Sequence, residues 1–164
     1  MDPRERLRQR YRPPEVRLLF IGESPPASGR FFYQQDSGLY RAIRDAFREV
    51  DPAITDERFL AVFQNNGCYL IDTCTDPVDN MDARSRRAAC RAGESSLCRK
   101  IQALQPAAIV TLLRSIQPNV QRAVERAQWR GPVLEVPYPG RWASHREIFL
   151  RALVPRLKVL LHKP

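Results

Sequence analysis

Histidine is nearly missing from this chain, with only His145 and His162 among 164 residues. That scarcity excludes a histidine-built metal centre and leaves few imidazoles for acid–base work. Closely spaced cysteines are missing as well: no two of Cys68, Cys74, Cys90 and Cys98 are separated by only two residues, as in a zinc knuckle or redox motif. Cys68 and Cys74 flank an apolar run, where a free thiol serves as a small hydrophobe. Disulfides are not expected in a reducing compartment. No apolar run approaches the ~20 residues of a membrane span, and the N-terminus has no signal-peptide core. Internal repeats and low-complexity tracts are absent too. These absences lead us to expect a soluble cytoplasmic monomer, of bacterial cytosol or nucleoid, with no cofactor, no metal and no membrane partner.

Lysine is also rare, and what replaces it is informative. Lys100, Lys158 and Lys163 are the only lysines among 27 basic side chains, which face 18 acidic ones for a net charge of +9 and a pI near 10.0. Arginine forks match phosphate oxygens bidentately, so an arginine-dominated excess points to nucleic acid as partner. Hydrophobic residues make up 43% of the chain, enough for a real core at this length.

Residues 1–14 form a basic arm, read as a frayed helix or a loose segment lying on phosphate. Residues 15–164 read as one domain. Val16, Leu18, Leu19, Phe20 and Ile21 form a short buried strand ending in Gly22-Glu23-Ser24-Pro25-Pro26-Ala27-Ser28-Gly29. Leu39, Ile43, Ala46, Phe47 and Val50 then recur at helical spacing behind an Asp36 or Ser37 cap. A helix over 55–65 closes at Asn66-Gly67, and Cys68 to Thr73 is the second strand. A polar, Arg-rich stretch leads to a helix carrying Leu97, Ile101 and Leu104, halted at Pro106. Ala108 to Leu113 is a third strand, 116–128 a helix, and Val133 to Val136 a fourth strand. Ser144 caps a last helix with Ile148, Phe149, Leu153 and Leu157 inward, kinked at Pro155. Strands alternating with helices predict a three-layer α/β/α sandwich around a central four-stranded parallel sheet. The loops at 22–33, 72–80 and 137–143 all follow strands and so converge on one sheet edge, where such folds bind ligands.

On those three loops the chain resembles the uracil-DNA glycosylase superfamily. Gly22-Glu23-Ser24-Pro25-Pro26 is similar to its Gly-x-x-Pro motif, closest to the Gly-Glu-Ala-Pro-Gly form of the iron–sulfur branch. Phe32 falls where the base-stacking Phe would lie, and Leu70-Ile71-Asp72-Thr73 takes the place of a strand ending in an edge-reading Asn. Pro137-Tyr138-Pro139-Gly140-Arg141-Trp142 stands where a His-Pro-Ser loop would supply a His and a wedge. The resemblance covers almost the whole chain in order. It implies base flipping from DNA and hydrolysis of an N-glycosidic bond. It also shows departures: Ser24 replaces a water-activating acid, Tyr138 a His, and Asp72 an Asn. The cluster-binding N-terminal cysteines have no counterpart before Val16. Cys74 and Cys98 echo two ligands, too few for a cluster.

The resemblance therefore implies Glu23, Ser24 and Tyr138 as catalytic candidates, Gly22, Phe32 and Asp72 as the base pocket, and Pro25, Ser28, Arg141 and Trp142 as DNA contacts. Each has a plainer reading. Glu23 reads instead as a cap on turn amides, Phe32 and Tyr138 as packing under and on the first loop, Asp72 as a ligand of loop amides, and Trp142 as core. Ser24 can hold a water but is no base at neutral pH. An ionised Asp72 only accepts hydrogen bonds, which suits adjacent donors such as guanine's N1–H and N2–H₂; protonated by burial, it would also donate. His145 opens the last helix and reads as a surface residue. Arg84, Arg86 and Arg87 form either a solvated face or a phosphate contact. The expected activity is glycosylase repair of a deaminated or damaged base (uracil, hypoxanthine or xanthine). The alternatives are a noncatalytic DNA-binding descendant or an unrelated enzyme whose first loop binds a nucleotide.

Overall fold

A computed structural model describes residues 1–140 and 142–162. In chain order its elements are α1 (Pro3–Arg10), β1 (Leu18–Gly22), α2 (Gly38–Val50), α3 (Asp56–Asn65), β2 (Cys68–Asp72), α4 (Ala83–Leu104), β3 (Ala108–Thr111), α5 (Gln117–Arg126), β4 (Val133–Glu135) and α6 (Ala143–Leu161). Short 3₁₀ turns lie at Phe32–Gln34 and Arg114–Ile116. The four strands form one all-parallel sheet in the order β2-β1-β3-β4. Every residue of β1, β2 and β3 is buried, the pattern of strands covered on both faces. β4 is the partly exposed edge. The expected α/β sandwich is the architecture found.

Topology decides where a ligand can sit. From β1 the chain moves outward to β2 through α2 and α3, then crosses back through α4 to β3 and on through α5 to β4. Right-handed crossovers put the first two helices on one face and α4 and α5 on the other. Helix α6 packs on α2, and α4 on α5, completing the outer layers. The direction of travel reverses between β1 and β3, so a crevice opens at their carboxyl ends.

Local chemistry explains where the helices depart from expectation. The Arg-rich stretch is not a loop but the first turns of α4, because Asp82 Oδ1 accepts from Ser85 N at 2.9 Å and opens the helix there. Helix α6 has no side-chain cap: Trp142 holds the cap position and Ser144 lies inside the first turn. Phe149, Leu153 and Leu157 are buried at spacings of four, whereas Ile148 is 46% exposed on the opposite side. The helix runs on through Pro155. The basic arm is neither frayed nor loose. Asp2 caps α1, and Tyr11 beyond it stacks on Tyr33 with centroids 5.4 Å apart.

Candidate active site at the carboxyl edge of the sheet

A cavity of about 320 Å³ occupies the crevice, at the low end of the ~300–1,000 Å³ typical of small-molecule sites. Its lining comes from each expected loop: Gly22 to Pro26 after β1, Asp72 and Asp79 after β2, and Tyr138 after β4. Phe31 and Phe32 form part of its wall, Leu112 and Leu113 follow β3, and Ser37 and Gly38 bring in the start of α2. Gly22, Phe32, Asp72 and Tyr138 thus meet in one space, although they span more than a hundred residues of sequence.

The first two loops are sewn together. Thr73 N donates to Gly22 O at 2.9 Å and Cys74 N to Glu23 O at 2.7 Å. Ala27 N donates to Asp79 Oδ1 at 3.0 Å, and Val78 N to Ser24 Oγ at 3.2 Å. Ser24 therefore has a structural duty that its sequence position did not suggest. Arg86 of α4 grips Glu23 with its fork: Nε donates to Oε2 at 2.9 Å, and Nη2 to Oε1. Glu23 is neither a free base nor a cap on turn amides; it is half of an ion pair. Pro25 is buried in the cavity wall, not offered to a DNA backbone, whereas Ser28 is exposed at the loop tip.

Asp72 closes the cavity at the end of β2 and is 7% exposed. A Cβ placed on Gly22 would lie 2.8 Å from Asp72 Oδ1, so only glycine leaves room for this carboxylate in the paired register. From the other side Arg8 of α1, itself buried, donates Nη2 to Asp72 Oδ2 at 2.9 Å and also pairs with Glu5. The Arg8 guanidinium lies 5.2 Å from the centroid of Phe31. Burial pushes the Asp72 carboxyl above its ordinary range, and Arg8 pulls against that shift. Burial also works against the charge on Arg8, but Asp72 and Glu5 more than offset it, and the guanidinium holds its proton more firmly than usual. Phe32 is 3% exposed and set edge-on among Tyr33, Tyr40 and Phe59, with Phe63 5.2 Å away. It packs under the loop as well as reaching the cavity.

Tyr138 is 44% exposed at the far wall, and burial followed by the carboxylates of Asp72, Asp79 and Glu23 raises its pKa. Its hydroxyl thus remains a donor at neutral pH. With these loops placed, the chain matches the family model of the uracil DNA glycosylase superfamily over residues 9–158. The chain belongs to that superfamily. No curated protein matches it.

Within the superfamily frame, the site's unusual residues are coherent. Trp142, expected as a DNA contact, is 67% exposed and not core. Arg141 falls outside the described residues. His145 is exposed near Gly140, with Nδ1 3.6 Å from where a Cβ on that glycine would lie, and does not line the cavity. The cysteine against Cys74 is Cys90, with sulfurs 3.6 Å apart, rather than Cys98. Burial pushes the Cys74 thiol up to about 12 and raises Cys90 as well, so both are protonated. No cluster of three or more metal-ligating side chains occurs among the described residues. Sequence reasoning missed Arg8 and Phe31 as site residues, and saw Arg86 only as part of a charge run. The signal for Arg8 was its place on an arm three residues after Glu5, which by itself names no partner.

Proposed function

We propose that this protein is a DNA glycosylase that draws an extruded base into the cavity between Phe31/Phe32, Asp72 and Tyr138 and hydrolyses its N-glycosidic bond. The observation that carries this reading is the cavity itself: the family-position residues converge on open space, not on a filled plug. A base inside a duplex is out of reach, so extrusion precedes chemistry. Asp72 offers a buried acceptor to the base edge. Uracil, hypoxanthine and xanthine each carry an N–H in the ring position where cytosine and adenine carry a bare acceptor nitrogen. An acceptor at the cavity end therefore favours deaminated bases over those two parents. As the bond breaks, negative charge grows on the departing base. The Tyr138 hydroxyl, lining the cavity, supplies a donor to meet it, while the Arg86 guanidinium there is already paired with Glu23. With Glu23 paired to Arg86, water is captured by the sugar cation late, without a strong general base. The net charge of +9 supplies attraction to the DNA backbone.

The Glu23–Arg86 pair and the Ser24–Val78 bond favour one second reading, a noncatalytic DNA-binding descendant. A single assay separates the two. Oligonucleotides carrying uracil, hypoxanthine, xanthine or no lesion are incubated with the protein and then cleaved at abasic sites with alkali. Strand breaks at one lesion, lost in Asp72→Ala, are the expected result. No break at any lesion, with salt-sensitive binding retained, establishes the noncatalytic reading.

A further inference from the structure

The Asp72 carboxylate meets the cavity on one side and a buried arginine on the other, and the two contacts are chemically linked. Arg8 comes from α1, 64 residues away in sequence, and lies between the carboxylate and the face of Phe31. It does not line the cavity, so it would act on a bound base only through Asp72. Charged and titratable groups face Asp72 from every neighbouring element. Arg8, Arg4 and Glu5 come from α1, Lys100 from α4, Tyr33 from the 3₁₀ turn and Tyr138 from the loop after β4. Of these, Arg8 is the cation in hydrogen-bond contact.

The protonation state of Asp72 determines which base edge it reads. As an anion it can only accept; as an acid it also donates. The three deaminated bases differ in what flanks the pairing-edge N–H. In uracil and xanthine a carbonyl stands on both sides. In hypoxanthine a carbonyl stands on one side and a C–H on the other. An acceptor-only carboxylate can take the hypoxanthine N–H while its second oxygen lies over the C–H. Against uracil or xanthine that oxygen meets a carbonyl whichever way it turns. A protonated carboxyl donates to the carbonyl and accepts from the N–H, and so fits all three alike.

We propose that Arg8 is a specificity-determining positioning residue: by donating to Asp72 and favouring its anion it makes the pocket select, among the deaminated bases, the one whose N–H has a carbonyl on one side only, hypoxanthine. This rests on the reading above only in taking a base as the cavity's occupant, and does not require that the bond be cut. Burial drives Asp72 toward the acid form, and Arg8 leads the cations that oppose it, ahead of Lys100 and Arg4. Lysine at position 8 retains a cation; methionine does not.

Recognition is tested apart from hydrolysis by using duplexes whose target nucleotide carries a 2′-fluoro-arabino sugar, which resists cleavage. Affinities of the full chain for hypoxanthine and uracil duplexes are measured by fluorescence anisotropy. The wild type is expected to prefer hypoxanthine by about tenfold, and Arg8→Lys to keep most of that preference. Arg8→Met is expected to bring the ratio toward one, and raising the pH to restore part of it by ionising Asp72. Asp72→Asn, whose amide oxygen can still accept from Arg8, is expected to show a ratio near one at every pH. Equal binding of both bases by the wild type overturns the proposal, as does a ratio that survives Arg8→Met or a pH response that survives Asp72→Asn. If the matching natural duplexes are never cleaved while the ratios behave as expected, the hydrolytic reading fails and this one stands. If neither modified duplex is bound better than an undamaged one, both fail.

Discussion

The two walls of the cavity are built in opposite ways. The wall after β1 and β2 is cross-tied by backbone bonds from Thr73 and Cys74, side-chain bonds at Ser24 and Asp79, and the Arg86–Glu23 ion pair. The wall after β4 has almost none of this: among the described residues, Pro137 to Gly140 make one hydrogen bond, from Gly140 N to Tyr138 O at 2.8 Å, and none to another loop. Tyr138 and Trp142 are the exposed aromatics on that side. Fixed donors and acceptors lower the reorganisation needed when a base arrives, whereas a lightly tied loop can follow the DNA. On the proposed glycosylase reading, discrimination falls to the cross-tied wall and engagement with the duplex to the open one.

Changes on the first wall should strike stability and specificity together. Asp72→Ala strands the buried Arg8 guanidinium without its partner at the cavity end and is expected to cost about 3 kcal/mol or more in urea unfolding. Base release should disappear with it. Gly93 tests the support behind this wall. A Cβ there would lie 2.3 Å from Thr73 O, so α4 sits on the β2 loop only because this position is bare. Gly93→Ala should therefore destabilise by about 1–3 kcal/mol, the reverse of the ~1 kcal/mol gain alanine brings to an ordinary helix interior. A stabilised variant would refute the close contact.

Further along α4, acid should loosen the packing of this helix against α5. Burial opposes ionisation of Glu94, but its hydrogen bonds from Arg122 and Asn119 prevail and hold its carboxyl below 4.5. Its contribution is complete above that unfolded value and is lost as the pH falls through the lower folded one. Glu94→Gln should accordingly be less stable than the parent at neutral pH, with the gap closing as the pH falls below 4.5. Asp72 has the opposite sign: its carboxyl is raised, so its contribution weakens as the pH rises from 3.8 upward.

On the open wall, the effects should spare the fold. Tyr138→Phe is expected to slow base release about a hundredfold with an unchanged melting temperature, since it removes one donor to the leaving base. Trp142→Ala should change stability by less than about 0.5 kcal/mol while weakening affinity for lesion-containing duplex. If Trp142→Ala unfolds the protein, or Gly93→Ala does not weaken it, the contrast between the walls is wrong.

Much of this was legible in the chain as written. Unbroken apolar runs marked strands buried on both faces, and helical spacing marked Ile43, Phe47, Phe149 and Leu153 as inward; both are patterns of neighbouring residues, governed by local geometry and the hydrophobic effect. Gly22, Phe32, Asp72 and Tyr138 were named as neighbours by the resemblance of their loops to the superfamily's motifs. The start of α4 was hidden because its arginines resemble a loop until the Asp82 cap is recognised. Ile148 was misread because it lies next to Phe149 on a helix that buries only one stripe.

The sequence by itself determined a parallel α/β sandwich with three loops gathered on one edge. Only the tertiary structure decided what each loop residue would do there. Glu23 and Arg86 stand 63 residues apart and Asp72 and Arg8 stand 64 apart, and no periodicity connects either pair. Their meeting depends on the crossover that carries α4 behind the first two loops and on α1 docking beneath the pocket. Burial then makes the charges of Arg8, Asp72 and Glu23 too costly to leave alone, so the fold converts four scattered ionisable residues into two couples.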